Sequence, residues 1–144
     1  MRVERTTEIA APRERVYELV MDPRRLVDWV TIHRALVDAP EGQLSRGSQL
    51  VQELHLAGRS FRVHWTVVEA DRPARVVWEG RGPLGTRARV AYSFEPRGQR
   101  TRFSYLNEYE LPGGPLGRLA GPAVRRVTAK EVEGSLHRLK ALLE

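Results

Sequence analysis

The chain has four histidines, His33, His55, His64 and His137, and imidazole is the side chain that both titrates near neutrality and ligates metals. No His/Asp/Glu spacing matches a metal motif, and with no cysteine the chain has no thiolate to offer. His55 and His64 fall on the polar side of an alternating segment, so the histidines read as surface groups and no metal or other cofactor is expected. Gly80-Arg81-Gly82-Pro83-Leu84-Gly85 lacks the lysine and the following helix of a phosphate-cradling loop and reads as a hairpin bend. A different set mixes hydrogen-bonding groups into an apolar face: Gln52, Trp65, Trp78, Thr86, Tyr92, Tyr105, Asn107 and Tyr109. Apolar walls with a few placed donors and acceptors are the makeup of a small-molecule site; the alternative is that each group is satisfied within the core.

Those residues depend on strands to turn them inward. From about Ile32 to Glu110 the sequence alternates, with glycine or proline punctuation roughly every ten residues, as an antiparallel meander requires. The clearest hairpin centres on Gly58-Arg59, a register that pairs Leu56 with Phe61, Leu54 with Val63 and Gln52 with Trp65. Its other face carries Glu53 beside His64 and His55 beside Arg62. Further strands are expected over Arg75–Gly80, Thr86–Phe94 and Thr101–Glu110. On the last, Phe103, Tyr105, Asn107 and Tyr109 oppose Arg102, Ser104 and Glu108, giving one dry side and one wet side. Glu53, Glu69, Glu79 and Glu108 all face outward.

Before the meander, a first strand through Thr6–Ala10 leads to a helix starting near Pro12, and a second short helix follows through Leu26 and Trp29, with Asp22 as its cap and Pro23 in its first position. Met21 and Trp29 form a lid or pack down. After Pro112-Gly113-Gly114-Pro115 a long helix is expected from about Leu116 to Leu143, with Gly121-Pro122 kinking or dividing it. Thr128, Val132, Leu136, Leu139 and Leu143 share one face of it, whereas Arg126, Lys130, Glu133, Arg138 and Lys140 lie mostly off that face.

At 144 residues the chain suits one domain with a real core. No segment approaches the roughly 20 apolar residues of a membrane span, and Met1-Arg2-Val3-Glu4-Arg5 is not followed by an apolar run, so the expectation is a cytoplasmic protein. The net charge of +6 comes from arginine, since Lys130 and Lys140 are the only lysines. These arginines are scattered and interleaved with glutamate, which argues against a specific nucleic-acid partner. A homodimer is left open.

Three stretches add a resemblance: Ala11-Pro12-Arg13-Glu14-Arg15-Val16-Tyr17-Glu18-Leu19 with Asp22-Pro23 following; Tyr92-Ser93-Phe94-Glu95-Pro96 through Gly98 to Thr101-Arg102-Phe103; and Ser135-Leu136-His137-Arg138-Leu139-Lys140. With the element order, they resemble the START-domain and polyketide cyclase/dehydrase superfamily (SRPBCC) from end to end. The resemblance implies an α+β helix-grip fold, an antiparallel curved sheet of about seven strands wrapped around a long C-terminal helix, with two short helices after the first strand. It also implies a cavity between sheet and helix for a small hydrophobic molecule, lipid or polyketide-like. The candidate ligand contacts are then Trp29, Gln52, Trp65, Trp78, Tyr92, Tyr105, Asn107, Tyr109, Thr128 and Val132. Binding is the leading function. A polyketide cyclase or dehydratase is the alternative, in which Asn107, Tyr105 or Tyr109 orients a carbonyl; an inward carboxylate or histidine favours it. A protein-partner module is the third reading and calls for an exposed apolar patch.

Overall fold

In the computed structural model the backbone is described for residues 1–110 and 114–144, and side chains for 1–110 and 122–144. The alternating segment forms seven antiparallel strands: β1 (Arg2–Ile9), β2 (His33–Asp38), β3 (Gln49–Leu56), β4 (Arg59–Asp71), β5 (Arg75–Arg81), β6 (Arg87–Arg97) and β7 (Arg100–Glu110). They make one curved sheet in the order β1-β7-β6-β5-β4-β3-β2, so the first strand closes beside the last. After β1 come α1 (Arg13–Val20), a 3₁₀ turn at Pro23–Arg25 and a single turn of helix, α2 (Leu26–Trp29); α3 (Gly114–Leu143) ends the chain.

Pro12 precedes α1 in extended conformation instead of occupying its first turn. Asp22 caps the 3₁₀ turn, its Oδ1 accepting from the Arg24 amide at 3.1 Å, with Pro23 next in line. α3 runs on past Pro122 without a division; the expected break at Pro112-Gly113 lies outside the described residues. The stripe foreseen on α3 is buried at Thr128, Val132, Leu136, Leu139 and Leu143, and it also contains Glu131 and Ser135. In the described part, α3 lies mainly over β1, with α2 and β7 next. Its large side chains each gain roughly 1.5–3 kcal/mol by leaving water.

The β3–β4 hairpin corrects the expected register. Leu56 pairs with Arg59, Leu54 with Phe61, Gln52 with Val63 and Leu50 with Trp65. The two turn residues are Ala57 and Gly58, at φ of 52° and 77°. A tight hairpin whose twist matches its strands needs left-handed backbone at both central positions. Here alanine accepts the first, so the turn sits one residue earlier than a Gly-first reading puts it. The slip moves each pairing by two residues and therefore leaves every side chain on its original face. Glu53 now opposes Arg62, His64 opposes Val51, and His55 opposes Ser60, whose Oγ lies 3.0 Å from its Nδ1.

Gly80 in β5 faces Trp65, and a Cβ placed there would come within 2.6 Å of the indole ring. The missing side chain leaves room for Trp65 and Val63. Thr86 precedes β6, and its hydroxyl donates to the Pro83 carbonyl at 2.7 Å, so it closes the β5–β6 turn and does not join the inner face. Arginines on the outside pair across elements, as in Arg5–Glu133 at 3.1 Å and Arg34–Glu53 at 3.4 Å. Each such exposed pair adds at most about 1 kcal/mol.

Candidate functional site

Strand alternation brings Gln52 and Leu54 from β3, Trp65 from β4, Trp78 from β5, Val90 and Tyr92 from β6, and Tyr105, Asn107 and Tyr109 from β7 onto one wall, facing Leu26, Val30 and Ile32. The space between them is a cavity of about 20 Å³, room for roughly one water molecule.

On the β3–β4 side the polar groups are fully engaged. Trp65 Nε1 donates to Gln52 Oε1 at 3.0 Å, and Gln52 Nε2 lies 2.8 Å from His33 Nδ1. His33 therefore turns inward, against the expectation of a surface group, and its burial lowers its pKa.

On the other side pairing is incomplete. Among the described residues, Trp78 Nε1 and Asn107 Oδ1 are buried without partners, as is Trp29 Nε1. Trp29 packs down: it meets Tyr92 at 5.7 Å and Tyr105 at 6.0 Å between ring centroids, edge to face. It is not on the cavity wall. Thr128 donates to the Val124 carbonyl of its own helix at 2.8 Å, and Val132 is wholly buried; among the described residues neither reaches the cavity.

The residue that sequence reasoning missed is Glu131. It sits on the buried stripe of α3 at 5% exposure. Its Oε1 accepts from Ser135 Oγ at 2.8 Å, while its Oε2 has no donor among the described residues. Burial pushes the carboxyl up to about 7, partly offset by the Ser135 hydrogen bond. Its charge in turn acts on three wall residues: Tyr92, Tyr105 and Tyr109 all have raised pKa values, through burial first and Glu131 second. The Ser135 hydroxyl also accepts from the Thr31 amide at 3.1 Å, tying α3 to the segment after α2. A signal was present in the sequence. Glu131 lies three residues after Thr128 and four before Ser135, inside the apolar stripe and not off it like Glu133.

Residues 1–144 match the family described as polyketide cyclase/dehydrase and lipid transport. The chain belongs to that family. An uncharacterised Mycobacterium tuberculosis protein, Rv1546, is 27% identical over 140 residues, covering 97% of this chain and 96% of its own. A second M. tuberculosis relative, named Toxin Rv0910, is 22% identical over 120 residues, covering 82% of this chain and 83% of its own. Among solved structures, TTHA0849 from Thermus thermophilus superposes with a TM-score of 0.78 at 23% identity, covering 98% of this chain and 95% of that one. Its likeness is one of fold, the helix-grip arrangement.

For a member of the polyketide cyclase/dehydrase and lipid transport family, the inner wall is the place where chemistry converges. A broader concavity of about 1300 Å³ is lined mainly by outward-facing residues of the same sheet and also meets Trp65 and Tyr109 of the inner wall. Its wall mixes Arg2, Arg81, Arg87 and Arg89 with Asp38, Glu79, Glu108 and Glu110, so its side chains have no net sign with which to select a ligand. No described helix is long and apolar enough to cross a membrane.

Proposed function

We propose that the chain binds a small, largely apolar molecule carrying at least one hydrogen-bonding group, held against the inner face of β5–β7 with α2 and α3 closing the other sides. The observation that supports this is the pair of unpartnered polar atoms on the cavity wall, Trp78 Nε1 and Asn107 Oδ1. A buried polar group left unpaired costs about 1–3 kcal/mol, and native folds leave few. A ligand with one acceptor and one donor pairs both. Binding requires the wall to part, and its partly exposed members, Ile32 and Tyr109, are those with room to move. The test is native mass spectrometry of freshly purified protein for a co-purified molecule, together with titration of the neutral probe N-phenyl-1-naphthylamine. Saturable one-to-one binding is expected. No co-purified molecule and no saturation would count against the reading. The cysteine-free composition suits a cytoplasmic protein.

Glu131 favours a second reading, a polyketide cyclase or dehydratase acting at the same place. A carboxyl that titrates at about 7 can donate or accept a proton at neutral pH, and its charge reaches Tyr92, Tyr105 and Tyr109, of which the last two can orient a carbonyl. On this reading Glu131→Gln keeps the fold and loses turnover of a polyketide chain; equal turnover by the variant rejects it. The exposed large apolar residues Val27, Val37, Val68, Leu84, Val127 and Leu142 are spread over α2, β2, β4, the β5–β6 turn and α3, and the two on α3 are about four turns apart, which gives a partner-docking module no common surface among the described residues.

A further inference from the structure

Apolar binding alone makes no use of Glu131. Its Oε2 is buried without a donor, and no arginine, lysine or histidine among the described residues adds to its environment. Its charge acts on Tyr92 on β6 and on Tyr105 and Tyr109 on β7, and Ser135 on its own helix donates to it; Glu131 lies behind the cavity wall that these tyrosines form and is not itself part of it. Behind these stand Trp29, edge to face with Tyr92 and Tyr105, and Trp78, 5.8 Å from Tyr92. Aromatic ring faces present negative potential. Asn107 Oδ1 is a second acceptor without a donor. The interior thus offers an ionisable carboxyl, an amide oxygen and several aromatic rings, with no positive charge among the described residues to balance them.

Resting on the ligand-binding reading above, we infer that the molecule this site takes is an amine, a largely apolar compound whose protonated primary or secondary amino group pairs with the Glu131 carboxylate. An ammonium group brings the N–H donors that the two orphan acceptors lack. It also converts a buried, isolated carboxyl into a charge-assisted hydrogen-bonded pair. Leu26, Val30, Leu54 and Val90 on the wall suit an apolar remainder and disfavour a polyamine. A carboxylate or phosphate ligand meets only like charge at Glu131.

The test uses the whole chain and three probes of similar shape: 2-phenylethylammonium, 2-phenylethanol and 3-phenylpropanoate, titrated by calorimetry at pH 8. The ammonium compound is expected to bind at least about tenfold more tightly than the alcohol, and the propanoate not to saturate. Ammonium affinity falls about tenfold per pH unit below the Glu131 midpoint near 7, as the proton returns to the carboxyl, while the alcohol's affinity stays level. Glu131→Gln brings the ammonium down to the alcohol. Alcohol or propanoate binding as tightly as ammonium, or an ammonium affinity flat between pH 5 and pH 8, overturns the inference and leaves the binding reading standing. If none of the three binds while N-phenyl-1-naphthylamine does, the amine inference alone fails; if that probe fails too, both fall.

Discussion

Two polar clusters lie side by side under one sheet and are finished differently. Around β3 and β4, Gln52 accepts from Trp65 and reaches His33, so each group answers another and β2 is fastened to the strands beside it. Around β5 to β7 and α3, Trp78, Asn107 and Glu131 each keep a buried atom without a partner. Both clusters are aromatic and buried, and they touch: Trp65 and Trp78 are 5.9 Å apart. Burial and polarity therefore do not mark a site in this fold. Incomplete pairing does, because only a group left open by the protein has free-energy reason to take a ligand.

The comparison is broken most forcefully from the closed side. Gln52→Leu strands Trp65 Nε1 in the interior and removes the neighbour of His33. With about 1–3 kcal/mol for each buried group left unpaired, and His33 partly reachable by water, the expected loss is about 2–4 kcal/mol in urea denaturation. Binding of N-phenyl-1-naphthylamine is expected to survive in the folded variant. A variant as stable as the parent would show that Gln52 is no more committed than Asn107.

From the open side the largest handle is pH. Folded Glu131 titrates at about 7 against an ordinary value of 4.5. Between those values the folded chain holds a proton that the unfolded chain has released, so stability is full below about pH 4.5, declines as pH rises and levels off above about 7. At about 1.4 kcal/mol per pKa unit the decline is roughly 3–4 kcal/mol. Glu131→Gln mimics the protonated form. It is expected to match the parent near pH 4.5 and to melt several degrees higher at pH 8. Equal melting temperatures at pH 8 would mean that the carboxyl has found water or a cation in solution, and the contrast with Gln52 would narrow.

How much of this was legible in the sequence follows from which forces act locally. Side-chain alternation is a local rule, and it put Trp78, Tyr105 and Asn107 inside and Glu79 and Glu108 outside, as the structure has them. Register depends on turn backbone, and the two-residue error came from Ala57 adopting a conformation that alanine seldom takes. Glu131 escaped because glutamate on a helix is ordinarily a solvated residue; its place in the stripe beside Ser135 was visible, but its burial depends on β6, β7 and the segment at Thr31 closing over it. His33 escaped for the same kind of reason. Its partner Gln52 lies 19 residues away, and no short-range pattern joins them.

The smallest expected effect is also the one that sharpens the comparison most. Asn107→Leu removes an amide whose oxygen has no partner, so no hydrogen bond is lost there. Its amide nitrogen donates to the Tyr109 hydroxyl, so the exchange gives up that one hydrogen bond. Leucine has similar bulk and avoids the cost of a buried unpaired oxygen. Stability is therefore expected to change by less than about 1 kcal/mol, or to rise, in contrast to the loss on making the same exchange at Gln52 one cluster away. Affinity for 2-phenylethylammonium is expected to fall several-fold, since one of its acceptors is gone, while the neutral probe binds as before. A loss of 2 kcal/mol or more with unchanged amine affinity would put Asn107 with Gln52 among the groups the fold has already used. The open side would then rest on Trp78 and Glu131 alone.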